Sequence, residues 1–213
     1  MCLTMCSSGR PSLRSGYPRP LRGLGAAEHG VRSMETIGKL EVARRSLVEA
    51  IRLFFDERDA VAIHTLAAAA HEILRDISRH RGIETGSILH DNPEIPESDR
   101  KHWYQALNAP TNFFKHADRD PEGILEFDSE ENVNFLLASV LLLVQVDTLP
   151  LHEANVFLGW ITTRNPELRG AVVGDSVGEY CVRNNVDPAD FFRFLELLDS
   201  QLIIEPLVCS RIE

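Results

Sequence analysis

The sequence predicts an all-α fold, an antiparallel helical bundle with additional C-terminal helices, and three observations carry that prediction. Two long stretches repeat apolar residues at spacings of three and four. Phe135 to Val146 holds ten apolar residues in twelve, interrupted only by Ser139 and Gln145. Clusters of glycine, proline and acidic residues separate these stretches at helix-length intervals.

Taken in order, the first helix is predicted over Lys39 to Glu57, where Leu40, Ala43, Leu47, Ala50, Ile51 and Phe54 fall on one stripe. Arg58-Asp59 is a short link, so the second helix returns antiparallel through about His80, with Ile63, Leu66, Ala67, Ala70, Ile73, Leu74 and Ile77 as its apolar face. The four alanines Ala67 to Ala70 give it a slim waist that lets neighbouring helices approach closely. Gly82, Gly86, Pro93 and Pro96 mark residues 81–97 as a loop.

A third helix is expected from Ser98 or Asp99, with a seam of Trp103, Leu107 and Phe114; Pro110 on the same face is expected to kink it or start a new helix. Asp118 to Gly123 ends it. After a short Ile124–Phe127 segment, acids at Asp128, Glu130 and Glu131 suit the N-terminus of a fourth helix that runs to about Val146. That helix is too short to span a bilayer and is expected to be buried on most sides. Three shorter helices are expected at about 151–163, 175–184 and 188–201, the last opened by Asp187-Pro188 as N-cap and first-turn proline. The core-forming parts are thus a bundle over 38–147 and a C-terminal helical extension over 150–213 that packs on it through Phe157, Trp160, Phe191, Phe192, Phe194 and Leu195.

Residues 1–33 fall outside this pattern. They hold five arginines, one acid, five glycines and three prolines without helical periodicity, and read as a disordered basic leader. Met34 opens the helical pattern and is the expected start of translation. The leader has no apolar core of the secretory type, so a cytoplasmic location is expected. Beyond it the chain carries 17 basic against 31 acidic residues, a net −14. Such a surface repels phosphate backbones, which argues against non-specific nucleic-acid binding by this part. Only Cys181 and Cys209 remain outside the leader, suggesting neither a disulfide framework nor a cysteine zinc site.

The stretch richest in chemistry is Leu107 to Asp118. Asn108, Asn112 and His116 lie four apart, roughly opposite the seam, and face water or a partner. Together with the alanine-rich second helix (Ala67 to Leu74), the segment Asn112-Phe113-Phe114-Lys115-His116 and the long apolar helix after it, this stretch resembles the HEPN-like helical domains over about residues 38–147. The resemblance implies a small bundle that works as a homodimer or with another protein. In the family's ribonucleases an arginine, a following polar residue and a histidine four to six positions on act on the scissile phosphate at a cleft between protomers. Asn112 and His116 match the polar and histidine positions and are the catalytic candidates; the arginine position is Thr111, which lacks the cationic fork that a developing phosphorane charge calls for. The expected function is therefore a non-catalytic interaction module that needs no cofactor. A ribonuclease using His116, Asn112 and Lys115 as a replacement cation is the alternative.

A metal-binding helical protein is the third reading. His64 and His71 can project from one flank of the second helix near Glu72 and Asp76, but zinc requires three or four convergent ligands. Asp118, Asp120, Glu122 and Gly123 match the early positions of a calcium loop, whose twelfth position is here Ser129 instead of glutamate. Arg75 and His80 have a suitable arginine–histidine spacing but read as part of a basic helix C-terminus with Arg79 and Arg81. His90-Asp91 matches only the dipeptide of metal-dependent phosphohydrolases. Ser176 and Cys181 are nucleophiles without an assigned base.

Overall fold

The computed structural model describes residues 34–83, 86–118, 120–169 and 176–200. The basic leader and Cys209 lie outside the described residues. Among those described there are seven α-helices, one 3-10 turn and no strand: α1 Lys39–Phe55, α2 Ala60–His80, α3 Glu97–Lys115, α4 Glu131–Val146, α5 His152–Arg164, the 3-10 turn Pro166–Leu168, α6 Ser176–Arg183 and α7 Phe191–Asp199. No described helix is long and apolar enough to cross a membrane.

The α1–α2 hairpin forms as its pattern predicts. Asp59 caps α2, its carboxylate accepting the Val61 and Ala62 N–H groups at 3.0 Å. α4 lies against the alanine waist of α2: Ala67 and Ala70 are fully buried, and the Ser139 hydroxyl approaches the Ala67 carbonyl at 3.3 Å. Large side chains at 67 or 70 would hold α4 off. The apolar stretch is the most enclosed part of the hairpin side, with Leu136, Ala138, Ser139 and Val140 at zero exposure.

α5 and α7 dock on α1 around an aromatic cluster. Phe55 stacks on Phe194 at 5.3 Å between ring centroids, and Phe54 meets Trp160 edge-on at 5.1 Å. Edge-on and offset contacts of this kind add to the stabilisation from burial alone. Arg52 links the same three helices by pairing with Glu153 at 2.8 Å and Asp199 at 3.1 Å. α6 sits against α5 where Gly159 leaves no room for a side chain.

Two details differ from the sequence reading. Pro110 does not start a new helix; it is buried inside a continuous 19-residue α3. Asp187-Pro188 does not open the last helix. Asp187 accepts the Ala189 N–H at 2.9 Å in a local turn, and Asp190 is the N-cap, bonding the Arg193 N–H, so α7 begins at Phe191. An aspartate that can bond two residues onward favours a turn as readily as a cap.

Candidate functional site

Between α3 and α2 lies a cleft of about 540 Å³. α2 contributes Ala68, His71, Glu72, Arg75, Asp76 and Arg79; α3 contributes Tyr104, Asn108, Thr111, Asn112, Lys115 and His116; His90 and Phe135 complete it. The two catalytic candidates, Asn112 and His116, are therefore brought together on one wall, both exposed. Asn108, half-buried, leans into the cleft rather than facing away from the seam. His116 is the C-cap of α3, its N–H bonded to the Asn112 carbonyl at 3.0 Å.

Thr111, at the position where the ribonuclease pattern has arginine, is turned to the interior. Its hydroxyl lies 3.1 Å from His64 Nε2, and His64 Nδ1 lies 3.1 Å from Asn132 Oδ1. The Asn132 amide nitrogen donates to the Ala60 carbonyl at 3.0 Å, so its oxygen faces the ring and the ring proton sits on Nδ1. Thr111 then donates to Nε2. Burial pushes the His64 pKa down and Lys115 adds to that, against the opposing bond from Asn132. Phe114, Phe127 and Phe135 surround the ring edge-on.

About two turns along α2, His71 is buried in a second polar node. The Ser87 hydroxyl accepts the Leu89 and His90 N–H groups and lies 2.7 Å from His71 Nε2, to which it gives its single proton. His71 is thus also the Nδ1–H tautomer, and burial, with His90 and Arg75 nearby, pulls its pKa to about 3 despite Asp91. The His90 ring stacks between His71, at 5.0 Å, and Tyr104, at 5.6 Å. Its Nδ1 is buried without a hydrogen-bond partner, and its pKa is also lowered, by burial first and then by Arg75.

Both histidines are fully buried core residues rather than the flank pair of the metal reading. Their Nε2 atoms serve different partners, Thr111 and Ser87, and among the described residues no group of three or more His, Cys, Asp or Glu is placed to hold a metal ion. In the Asp118 loop, Asp118, Asp120 and Glu122 are all exposed.

The basic end of α2 divides into two roles. Arg75 makes a two-pronged contact with Asp91 at 3.0 and 3.2 Å, with Arg79 at 3.4 Å, while the Arg81 guanidinium bonds the Val146 carbonyl at the end of α4. Burial raises the Asp91 pKa, but Arg75, the Ser87 N–H and Arg79 outweigh it and hold the carboxyl at about 2. Sequence spacing gave no sign that Arg75 shares a cleft with Asn112, because the contact depends on how the 81–97 loop returns α3 across α2. The His90-Asp91 dipeptide was the visible trace: its two residues are the inner ring and the inner carboxylate of that crossing.

Comparison with known proteins adds no relative: no family model, no curated protein and no solved structure matches the chain.

Proposed function

We propose that the chain is a non-catalytic, HEPN-like helical interaction module that acts in the cytoplasm through protein contacts, as a homodimer. The observation that carries this reading is the Thr111–His64 bond. The position that would supply a phosphate-stabilising cation holds a hydroxyl committed to fixing α3 on α2. His116 is left as an exposed helix cap with no partner among the described residues that would orient it as an acid or base.

The test is an RNA cleavage assay on the full chain, with His116→Ala as control. No difference between the two is expected. Cleavage by the wild type that the variant loses would overturn the reading.

One observation favours the ribonuclease alternative: Arg75, Arg79 and Lys115 line the same cleft as Asn112 and His116, so cations missing from position 111 are available from other positions. Against it, Arg75 is already neutralised by Asp91, and Glu72 and Asp76 on the same wall repel a phosphate.

A further inference from the structure

We propose that the turn at residues 87–91 and α3 form an acid-released flap: a proton on His71 breaks the turn's hold on α2, and α3 leaves the α2–α3 cleft while α1, α2 and α4 stay together. Such a device needs neither a partner nor the interaction-module reading.

The sensor is set by hydrogen-bond stoichiometry. A serine hydroxyl has one proton and two acceptor sites. Both sites of Ser87 are taken, by the Leu89 N–H at 3.2 Å and the His90 N–H at 3.4 Å, so its proton goes to His71 Nε2 at 2.7 Å. A charged imidazole carries a proton on Nε2 as well. The two protons then face each other, and the hydroxyl can turn away only by giving up an amide. Both residues are buried, so bulk water does not replace the lost bond. His64 is less demanding: the Thr111 oxygen has no other hydrogen bond among the described residues and can reverse to accept from a charged ring.

The groups around His71 oppose its charge. From its own helix come Arg75 and, exposed at the cleft, Glu72 and Asp76; from the turn come His90 and Asp91; from α3 come Tyr104, Lys115 and His116. α4 presents the uncharged Phe135 ring, edge-on at 5.7 Å. Asp91, the acid of the turn, is committed to Arg75 at 3.0 Å and to the Ser87 N–H at 2.8 Å.

What the turn holds is α3. Trp103 donates its indole N–H to the Leu89 carbonyl, and the neighbouring Tyr104 stacks on the His90 ring, which stacks in turn on His71. Leu107 packs against the bundle core, but only Pro110 of α3 is fully buried. α1, α2 and α4 meet instead through Leu47, Ala67, Ala70, Leu136 and Val140, all at zero exposure and none titratable. A proton on His71 therefore acts on the α3 side of the molecule and leaves the apolar contacts of the other three helices intact.

The direction follows from linkage. In the closed state burial, His90 and Arg75 hold the His71 pKa at about 3, and once the flap is open the ring returns toward its ordinary 6.5. Opening takes up a proton, so the open fraction grows by about tenfold for each pH unit between those values as the pH falls. His64 and His90, also lowered by burial, act in the same sense.

The test is amide hydrogen exchange of the full chain at pH 7.5 and 4.5, with intrinsic exchange rates divided out. Protection of α3 is expected to fall by roughly a hundredfold or more between the two. At pH 4.5 the α3 amides should exchange through an opening that low urea does not accelerate, while α1 and α4 stay protected until the whole chain unfolds. His71→Gln accepts the Ser87 proton and cannot titrate, and should shrink the loss of α3 protection by at least about tenfold. A second readout needs no variant: in the wild type, the His71 ring resonances should remain those of the neutral Nδ1–H form for as long as α3 is protected. Equal protection of α3, α1 and α4 at pH 4.5, an undiminished loss in His71→Gln, or a charged His71 ring beneath a protected α3 would each overturn the proposal.

Discussion

Thr111 donates its hydroxyl proton to His64 Nε2 across 3.1 Å, and this one bond joins the motif-bearing helix to the interior of the bundle. Since α3 buries only Pro110 completely, polar bonds to fixed points on its neighbours matter more for its placement than for the other long helices. Trp103 supplies a second such bond, donating its indole N–H to the Leu89 carbonyl at 2.6 Å.

Removing the Thr111 hydroxyl leaves a buried imidazole nitrogen without a donor, a loss of roughly 1–3 kcal/mol. Thr111→Val is expected to lower unfolding free energy by that amount in urea titrations and to speed amide exchange in α3 more than in α1. Equal exchange in both helices would mean that α3 is held by something other than this bond.

Gly86 has φ +58°, and a Cβ placed there would meet the Asp91 Cβ at 2.7 Å. The glycine therefore permits both the left-handed turn and the approach of the carboxylate that grips Arg75. Gly86→Ala is expected to destabilise the protein by roughly 1–3 kcal/mol through backbone strain and displacement of Asp91. Asp91→Asn should cost a similar amount by weakening the pair with Arg75, and the double variant should cost less than the sum because both act on one contact. Chemical denaturation of the three variants measures this; strict additivity would separate the glycine from the ion pair.

The helical ladder was legible because apolar spacing is a local property. α1, α2 and α4 follow from stripes that need no partner to be recognised, and the alanine waist announced the close α2–α4 contact. What was not legible depends on long-range crossing. Asn112 and His116 could be placed on one helix, but the cleft they line is made by α2 residues about forty positions earlier, and nothing local in Arg75 distinguishes a cleft arginine from a helix-end cation. The misread start of α7 has a different cause, since Asp187 and Asp190 both carry capping chemistry and only packing of Phe191 and Phe194 on Phe55 decides between them.

Gly159 is fixed by the α5–α6 contact: a Cβ there would lie 2.5 Å from the Val177 Cβ and 2.9 Å from the Gly178 backbone nitrogen. Backbone atoms cannot yield as a flexible side chain does. Gly159→Ala is expected to push α6 from α5 at a cost of roughly 1–3 kcal/mol, although alanine is the better helix former and would stabilise an uncrowded site. Thermal unfolding distinguishes these signs, and an increase in melting temperature would show that α6 moves away freely.

The buried histidines make stability depend on pH in one direction. His64, His71 and His90 all have pKa values below the ordinary 6.5 in the fold, with His71 at about 3. In the unfolded chain they take up protons near pH 6.5, so between that pH and the folded values the unfolded state binds more protons, and stability rises with pH. The contribution is fully present above about pH 6.5 and is lost as the pH falls. Asp91 acts lower: its pKa is depressed from 3.8 to about 2, so its stabilising contribution is present above the unfolded value and disappears only as the pH falls through that lower window. Between pH 6.5 and 4 the loss therefore belongs mainly to the histidines. The His71 ring alone is worth on the order of 5 kcal/mol across its window. His71→Gln keeps an acceptor for the Ser87 hydroxyl but does not titrate, so its unfolding free energy is expected to fall less steeply between pH 6.5 and 4 than that of the wild type. Denaturant titrations at half-unit steps measure the two slopes. Parallel slopes would mean that His71 is protonated in the fold as readily as in the unfolded chain, which is incompatible with a ring buried against His90 and Arg75.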